Sequence, residues 1–243
     1  MRYSSNGILL MAALILVLVT AETGWARTEV TPIRLNKTIV LLPAPPGFTE
    51  ASRRSAKMQK LSRLLTLPHK EFLVLYVSTE DMQRIRSGKQ PQMKQYITAQ
   101  ISSAARKKRI LVKTFRQLRA KLRQRLSGKQ GYSVVSGQKQ INRITGKLRQ
   151  QAPDMKSIKV GTMRPIGILF DGRQAISYGV LVKYRTSINN MPEDILMVGS
   201  VTYVMVRNKL LSVYVFRVYK NDNDIQWVNK TTKGWVRSIM RRN

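Results

Sequence analysis

The sequence predicts an α+β fold in which an antiparallel sheet carries helices on both of its faces. Four strand-like runs follow one another with short turns of Gly, Asn, Asp and Pro between them, which is typical of an antiparallel meander. The runs are 165–171, 174–187, 194–207 and 209–220. In the last run both alternating sets of side chains are apolar, so both faces of that strand need a cover. Amphipathic helical patterns at 102–126 and 222–241 supply the two covers.

The first half of the chain adds shorter elements. Further strands are predicted at 38–42, 71–77 and 94–101. Prolines end the first of them because proline has no amide hydrogen to donate. A short helix is predicted at 52–66. A second begins after Ser78, which is placed as an N-cap with Asp81 three residues on.

A long basic helix is predicted at 102–126. Its apolar side chains recur every three or four residues, which makes one stripe of an α-helix. The stripe comprises Leu111, Phe115, Leu118, Leu122 and Leu126. We expect it to pack on the second face of the meander, and the alternative is that it lies in a lipid surface.

The carboxyl-terminal helix is predicted at 222–241, with Asp222 or Asp224 as its cap. Its stripe comprises Ile225, Val228, Thr232, Trp235 and Ile239. Arginines in its last turn suit the negative end of the helix dipole.

Residues 1–26 have the three parts of a secretory signal peptide: Arg2, an apolar run, and small residues before a cut after Ala26. The alternative is an uncleaved membrane anchor. We therefore expect one mature domain, residues 27–243, in the periplasm or secreted, with a polar and mobile segment at 127–157. The absence of cysteine fits an oxidising compartment.

The charge of the chain is its strongest functional signal. Lysine and arginine number 44 against 12 acidic residues, a formal net charge of +32, and no acidic residue occurs between Met82 and Pro153. Such a surface attracts anionic polymers or lipid head groups. The candidate anion-binding residues all lie on the predicted basic helix. They are Arg106, Lys107, Lys108, Arg109, Lys113, Arg116, Arg119, Lys121, Arg123 and Arg125.

Catalytic motifs are weak by comparison. The lack of cysteine excludes thiol chemistry, and His69 is the only histidine of the sequence. Neither a phosphate-loop motif nor a nucleophile-elbow motif is present. We predict no catalytic residue, no metal and no cofactor. Carboxylates at predicted loop ends are the only supply for a hydrolase, and they are Asp171, Glu193, Asp194, Asp222 and Asp224.

The chain resembles exported, uncharacterised proteobacterial proteins with a PsbP-like α/β/α sandwich. The resemblance lies in LPAPPGF at 42–48, KLLSVYV at 209–215, and the ending DIQWV at 224–228 with Trp235 and Val236. It implies a periplasmic accessory or binding module and carries no activity with it.

Three functional hypotheses follow. The first is an exported, non-enzymatic envelope protein that contacts lipid head groups or lipopolysaccharide through the basic helix. The second is a secreted nucleic-acid-binding or host-interaction protein, which the export signal and the lack of aromatic stacking platforms disfavour. The third is a hydrolase with its site at the meander loops, at Asp171, Glu193 and Asp194.

Overall fold

The structure is a computed structural model that describes residues 29–64, 66, 69–127, 159–188 and 191–243. The described strands are β1 (Val30–Leu35), β2 (Thr38–Pro43), β3 (Phe48–Glu50), β4 (Lys70–Ser78), β5 (Gln95–Ser102), β6 (Lys159–Asp171), β7 (Ala175–Ile188), β8 (Met191–Val206) and β9 (Lys209–Val218). The described helices are α1 (Ala56–Leu64), α2 (Thr79–Arg86), α3 (Ser103–Lys107), α4 (Val112–Ser127) and α5 (Asp222–Arg242).

Seven strands form one antiparallel sheet in the order β3-β4-β5-β9-β8-β7-β6, and β1 pairs with β2 in a separate hairpin. The fold class is therefore α+β, a large antiparallel sheet with helices packed on it, as the sequence predicts. The strand β9 is central and is hydrogen-bonded on both sides.

Opposite faces of β9 belong to different cores. Leu211, Val213 and Val215 join the cluster beneath α5 and the β1–β2 hairpin, which we call the α5 face. Tyr214 and Phe216 join the cluster beneath α4, which we call the α4 face. The alternation read from the sequence is confirmed, because both sets of side chains are covered.

Helix α5 buries the stripe that its spacing predicts. Val228, Thr232, Trp235 and Ile239 are buried, and the Trp235 indole N–H donates to the Pro43 carbonyl at 2.8 Å. This hydrogen bond ties α5 to the hairpin. The helix begins after Asn221, whose side chain accepts from the Asn223 amide, and not after Asp222 or Asp224. The carboxylate of Asp224 completes a capping box by accepting the Asn221 amide.

The predicted helix at 102–126 is wrong as a single element. Strand β5 continues to Ser102, α3 ends at Lys107, and Lys108 has an extended backbone. The break has a physical reason. The Ile110 amide donates to the Asn208 carbonyl of the β8–β9 turn at 2.8 Å, which takes the chain around the end of the sheet. Of the predicted stripe, Phe115 and Leu122 are buried, whereas Leu111 is 58% exposed.

Other predictions shift or fall outside the described residues. The sequence predicts no strand at β1, and the helix predicted at 52–66 begins four residues later and is described over Ala56–Leu64. Ser78 does cap α2, accepting from the Asp81 amide at 3.1 Å. The proposed signal segment at 1–26, and the polar segment at 127–157 beyond Ser127, lie outside the described residues.

Two glycines make a matched test of this packing. A Cβ at Gly199 on β8 would lie 2.3 Å from the Phe216 ring, whereas one at Gly234 on α5 meets nothing within 4 Å. We expect Gly199→Ala to lower the free energy of unfolding by about 1–3 kcal/mol through overpacking. We expect Gly234→Ala to raise it by about 0.5–1 kcal/mol. Urea denaturation followed by circular dichroism measures both, and a harmless Gly199→Ala would contradict the described contact between β8 and β9.

Candidate anion-binding surface at the basic end of the sheet

Several turns meet at one end of the sheet. They are the β1–β2 turn at 36–37, the α3–α4 linker at 108–111, the β8–β9 turn at 207–208 and the carboxyl end of α5. Exposed cations mark this end, which we call the basic end. They are Arg34, Lys37, Lys107, Lys108, Arg109, Lys113, Arg207, Arg241 and Arg242.

Hydrogen bonds from a buried lysine hold the linker in place. The Lys209 ammonium donates to the carbonyls of Arg106 and Lys108, at 2.7 and 3.0 Å, which supplies the end of α3 with a donor. Lys209 is only 5% exposed, so its contribution here is structural. The Arg207 guanidinium joins the neighbouring segments, donating to the carbonyls of Ile39 and Asn243, each at 3.1 Å.

The predicted anion-binding residues separate into two groups. Three arginines are engaged in ion pairs within the fold: Arg106 with Glu71 at 2.5 Å, and Arg119 and Arg123 with Asp171. The other seven are exposed, and within the described parts of the chain no carboxylate lies within ion-pairing distance of them. They are Lys107, Lys108, Arg109, Lys113, Arg116, Lys121 and Arg125.

Asp171 fixes α4 against the β6–β7 turn. Its carboxylate is 2.6 Å from the Arg119 guanidinium and also contacts Arg123. Burial alone would raise the pKa of Asp171, but hydrogen bonds and charge from Arg123 and Arg119 outweigh it and hold that pKa below its usual range. Arg119 and Arg123 are thus engaged with Asp171, and Arg119 is mostly covered while Arg123 stays exposed. Arg116, Lys121 and Arg125 are exposed as well.

A hollow of about 270 Å³ lies where the hairpin meets α3. It is lined by Arg34, Asn36, Arg106 and Lys107. The Arg106 guanidinium also donates to the Arg34 carbonyl at 3.2 Å, which connects the two segments. Arg34 and Lys37 were missed because no strand is predicted at 30–35, and Arg207 was missed because its contact with Ile39 joins distant parts of the chain. The available sequence signal was Asn36, a residue type that tolerates the left-handed backbone conformation that it adopts in the β1–β2 turn.

The opposite end of the sheet collects carboxylates around a groove of about 610 Å³. Asp194 pairs with Lys183 and Arg185, each at 2.8 Å, and Asp224 pairs with Arg217 at 2.7 Å. The hydrogen bonds from Arg185 and Lys183 hold the pKa of Asp194 well below its usual range. Glu80, Asp81 and Asp222 also lie at this end, which we call the groove end.

The carboxylates proposed for a hydrolase do not converge. Asp171 pairs across the sheet with Ile176, and Asp194 pairs with Arg185, nine residues further along β7. At roughly 3.3 Å per residue these positions are about 30 Å apart. Glu193 lies beside Asp194 on β8, at the same end. No single site can therefore use both Asp171 and Asp194.

Lys70 forms a second polar cluster on the α4 face. Its ammonium donates to Ser212 Oγ at 2.9 Å and to the Tyr214 hydroxyl at 2.5 Å, and it lies 5.2 Å from the centre of the Tyr214 ring. Burial lowers the pKa of Lys70 from 10.5 to about 8. The hydroxyls and the ring stabilise the ammonium in place of a carboxylate.

Neither a metal-binding cluster nor a membrane-spanning helix is found among the residues that the structure describes. Among them, no group of His, Asp or Glu side chains is arranged to hold a metal ion. No helix within those ranges has the length and apolar character needed to cross a membrane.

Comparison with known proteins finds distant likenesses to solved structures. No protein-family model matches the chain, and no curated protein matches it. Among solved structures, the Ran-binding protein Mog1p of Saccharomyces cerevisiae is similar with 12% identity and a TM-score of 0.31, covering 88% of this chain and 94% of that one. A point mutant of Mog1 is similar with 11% identity and the same TM-score, covering 88% and 90%.

The Asp171 clamp predicts a defined pH dependence. Asp171→Asn leaves Arg119, which is 16% exposed, without its anion, and we expect a loss of about 1–3 kcal/mol at pH 7. The pKa of Asp171 in the folded protein is lower than its unfolded value of about 3.9. The difference in the free energy of unfolding between the wild type and Asp171→Asn is therefore fully present above that pH. It is lost as the pH falls through the folded pKa.

Chemical denaturation of both proteins between pH 7 and pH 2 measures this difference. Asp194→Asn is the control, because its ion pairs are exposed and we expect little change in stability. A wild-type advantage that stays constant down to pH 2 would contradict the clamp.

Proposed function

We propose that the chain is an exported, non-enzymatic accessory or binding protein of the bacterial envelope that contacts anionic partners through the basic end and the outer side of α4. One observation carries this proposal. Seven of the ten predicted cations are exposed and free of ion pairs to described carboxylates, and the other three are the ones that hold the surface together.

The charge distribution supports a directed contact. At the basic end, the described acidic side chains Glu71 and Asp171 are each paired with arginine, so they do not cancel the exposed cations. Acidic residues collect at the groove end, a strand length away. This separation orients the molecule in the field of an anionic surface, with the basic end leading.

Export is supported by the sequence of residues 1–26 and by the absence of cysteine. A non-enzymatic role is supported by how the described carboxylates are used: Asp171 clamps α4, Asp194 pairs across β7 and β8, and Asp224 completes the capping box of α5. Each of these carboxylates has a structural partner, and Asp171 and Asp194 lie at opposite ends of the sheet.

Vesicle binding tests the proposed contact. The protein is purified from the periplasm of cells that express the full chain, where sequencing of its amino terminus should give Arg27 as the first residue. We expect it to co-sediment with vesicles of equal parts phosphatidylglycerol and phosphatidylcholine, but not with phosphatidylcholine alone. Binding should weaken with salt, since the screening length falls from about 10 Å at 0.1 M to about 3 Å at 1 M.

A triple variant identifies the surface. Changing Lys107, Lys108 and Arg109 to Gln removes three exposed cations, each contributing about 1 kcal/mol near an anionic membrane. We expect affinity to fall by roughly a hundredfold. Arg106 is left unchanged because it pairs with Glu71.

The matched control removes the same charge from the other end of the sheet. It changes Arg86, Lys89 and Lys94 to Gln, three exposed cations near the groove. Equal losses in the two triple variants would show that net charge alone drives binding. Failure of the wild-type protein to bind anionic vesicles would overturn the proposed contact.

A further inference from the structure

Two aliphatic side chains are exposed among the cations of the basic end. Leu111 is 58% exposed and Val112 is 42% exposed. They stand between Arg109 and Lys113, and Lys108 precedes them, all three exposed. Among the described residues five large apolar side chains are exposed, and Ile39, at the β1–β2 hairpin, is a third at this end. Exposed apolar residues set together among cations indicate an interaction site.

The exposure of Leu111 and Val112 follows from the contacts of their neighbours in the chain. Ile110 packs inward against the cores of both sheet faces, and its amide is hydrogen-bonded to Asn208. Lys209 fixes the preceding carbonyls of Arg106 and Lys108. With Ile110 partly buried and Phe115 fully buried in the first turns of α4, the intervening Leu111 and Val112 are held outward at the end of the sheet.

We propose that the α3–α4 linker is a membrane-insertion point. Leu111 and Val112 enter the interfacial layer of an anionic phospholipid leaflet, while Lys108, Arg109 and Lys113 contact the lipid phosphates. This inference rests on the proposed function, and it names the partner and the residues that enter it.

The side-chain chemistry favours a lipid surface over other anions. Nucleic acids also offer phosphates, but their backbone gives a pair of aliphatic side chains no apolar layer to enter, and the linker has no aromatic residue to stack on a base. A phospholipid leaflet places an apolar layer directly beneath a layer of phosphate. Proteins that lie on membranes combine apolar residues with flanking lysine and arginine in this way.

A fluorescent label at the linker tests insertion. The chain has no cysteine, so Leu111→Cys gives a single attachment point for the environment-sensitive dye NBD. With vesicles of equal parts phosphatidylglycerol and phosphatidylcholine, we expect the emission to rise and shift to the blue. Leu196→Cys is the matched control, because Leu196 is 36% exposed but lies at the groove end. Its label should stay in water.

Co-sedimentation of the same samples distinguishes insertion of the linker from contact of the protein with the anionic surface. Labelled protein that sediments with no emission change at position 111 overturns insertion and leaves the proposed anionic contact standing. Protein that does not sediment overturns both. An emission change that occurs without vesicles and grows with protein concentration shows that a second copy covers the linker, which also overturns insertion.

An unlabelled variant provides an independent measurement. Changing both Leu111 and Val112 to Ser removes apolar surface but no charge, and both residues are exposed, so the fold is retained. We expect affinity for the anionic vesicles to fall about tenfold while its dependence on salt stays the same. Unchanged affinity, with circular dichroism confirming the fold, would overturn the role of this pair.

Discussion

Burial of the central strand β9 on both faces determines how the other elements are arranged. Leu211, Val213 and Val215 require a cover on one side, and Tyr214 and Phe216 require a cover on the other. Helix α5 follows β9 directly and takes the first side. The second cover, α4, follows β5, so the chain between them must pass around the end of the sheet. The α3–α4 linker is that passage, and its exposure follows from the two-sided core.

The same geometry explains how a strongly basic chain folds with so few acidic residues. Desolvation of a charge is tolerated only when it is paired or hydrogen-bonded. The fold places Asp171 between Arg119 and Arg123, and Asp224 between Arg217 and two backbone amides. The buried Lys209 and the half-buried Lys70 use neutral partners instead: backbone carbonyls for Lys209, hydroxyls for Lys70. Most other cations among the described residues are exposed.

Much of the fold could be predicted from the sequence because it depends on local patterns. The meander rests on short turns between alternating strands, and α5 rests on a regular stripe that ends at Ile239. The break at 108–111 could not be predicted, because Leu111 fits the spacing of the stripe and a hydrogen bond to Asn208 decides the path. That bond joins residues almost a hundred positions apart.

The basic end could be predicted only in part, because its arrangement also depends on contacts between residues that are distant along the chain. The run from Arg106 to Arg109 is visible as sequence, but its division into a paired arginine and exposed neighbours depends on Glu71, which is distant along the chain. Arg34 and Arg207 reach the surface only through the hairpin and the β8–β9 turn. The exposure of Leu111 is likewise a property of the fold, since its spacing placed it in the buried stripe.

Hydrogen–deuterium exchange of the protein with and without phosphatidylglycerol vesicles reports every contacted segment at once, so it distinguishes binding through the basic end from binding elsewhere. We expect slower exchange at 107–116 and at the turns 36–37 and 207–208, with no change at 87–94 or 219–224. Protection at the groove end, or equal protection at both ends of the sheet, would contradict binding through the basic end.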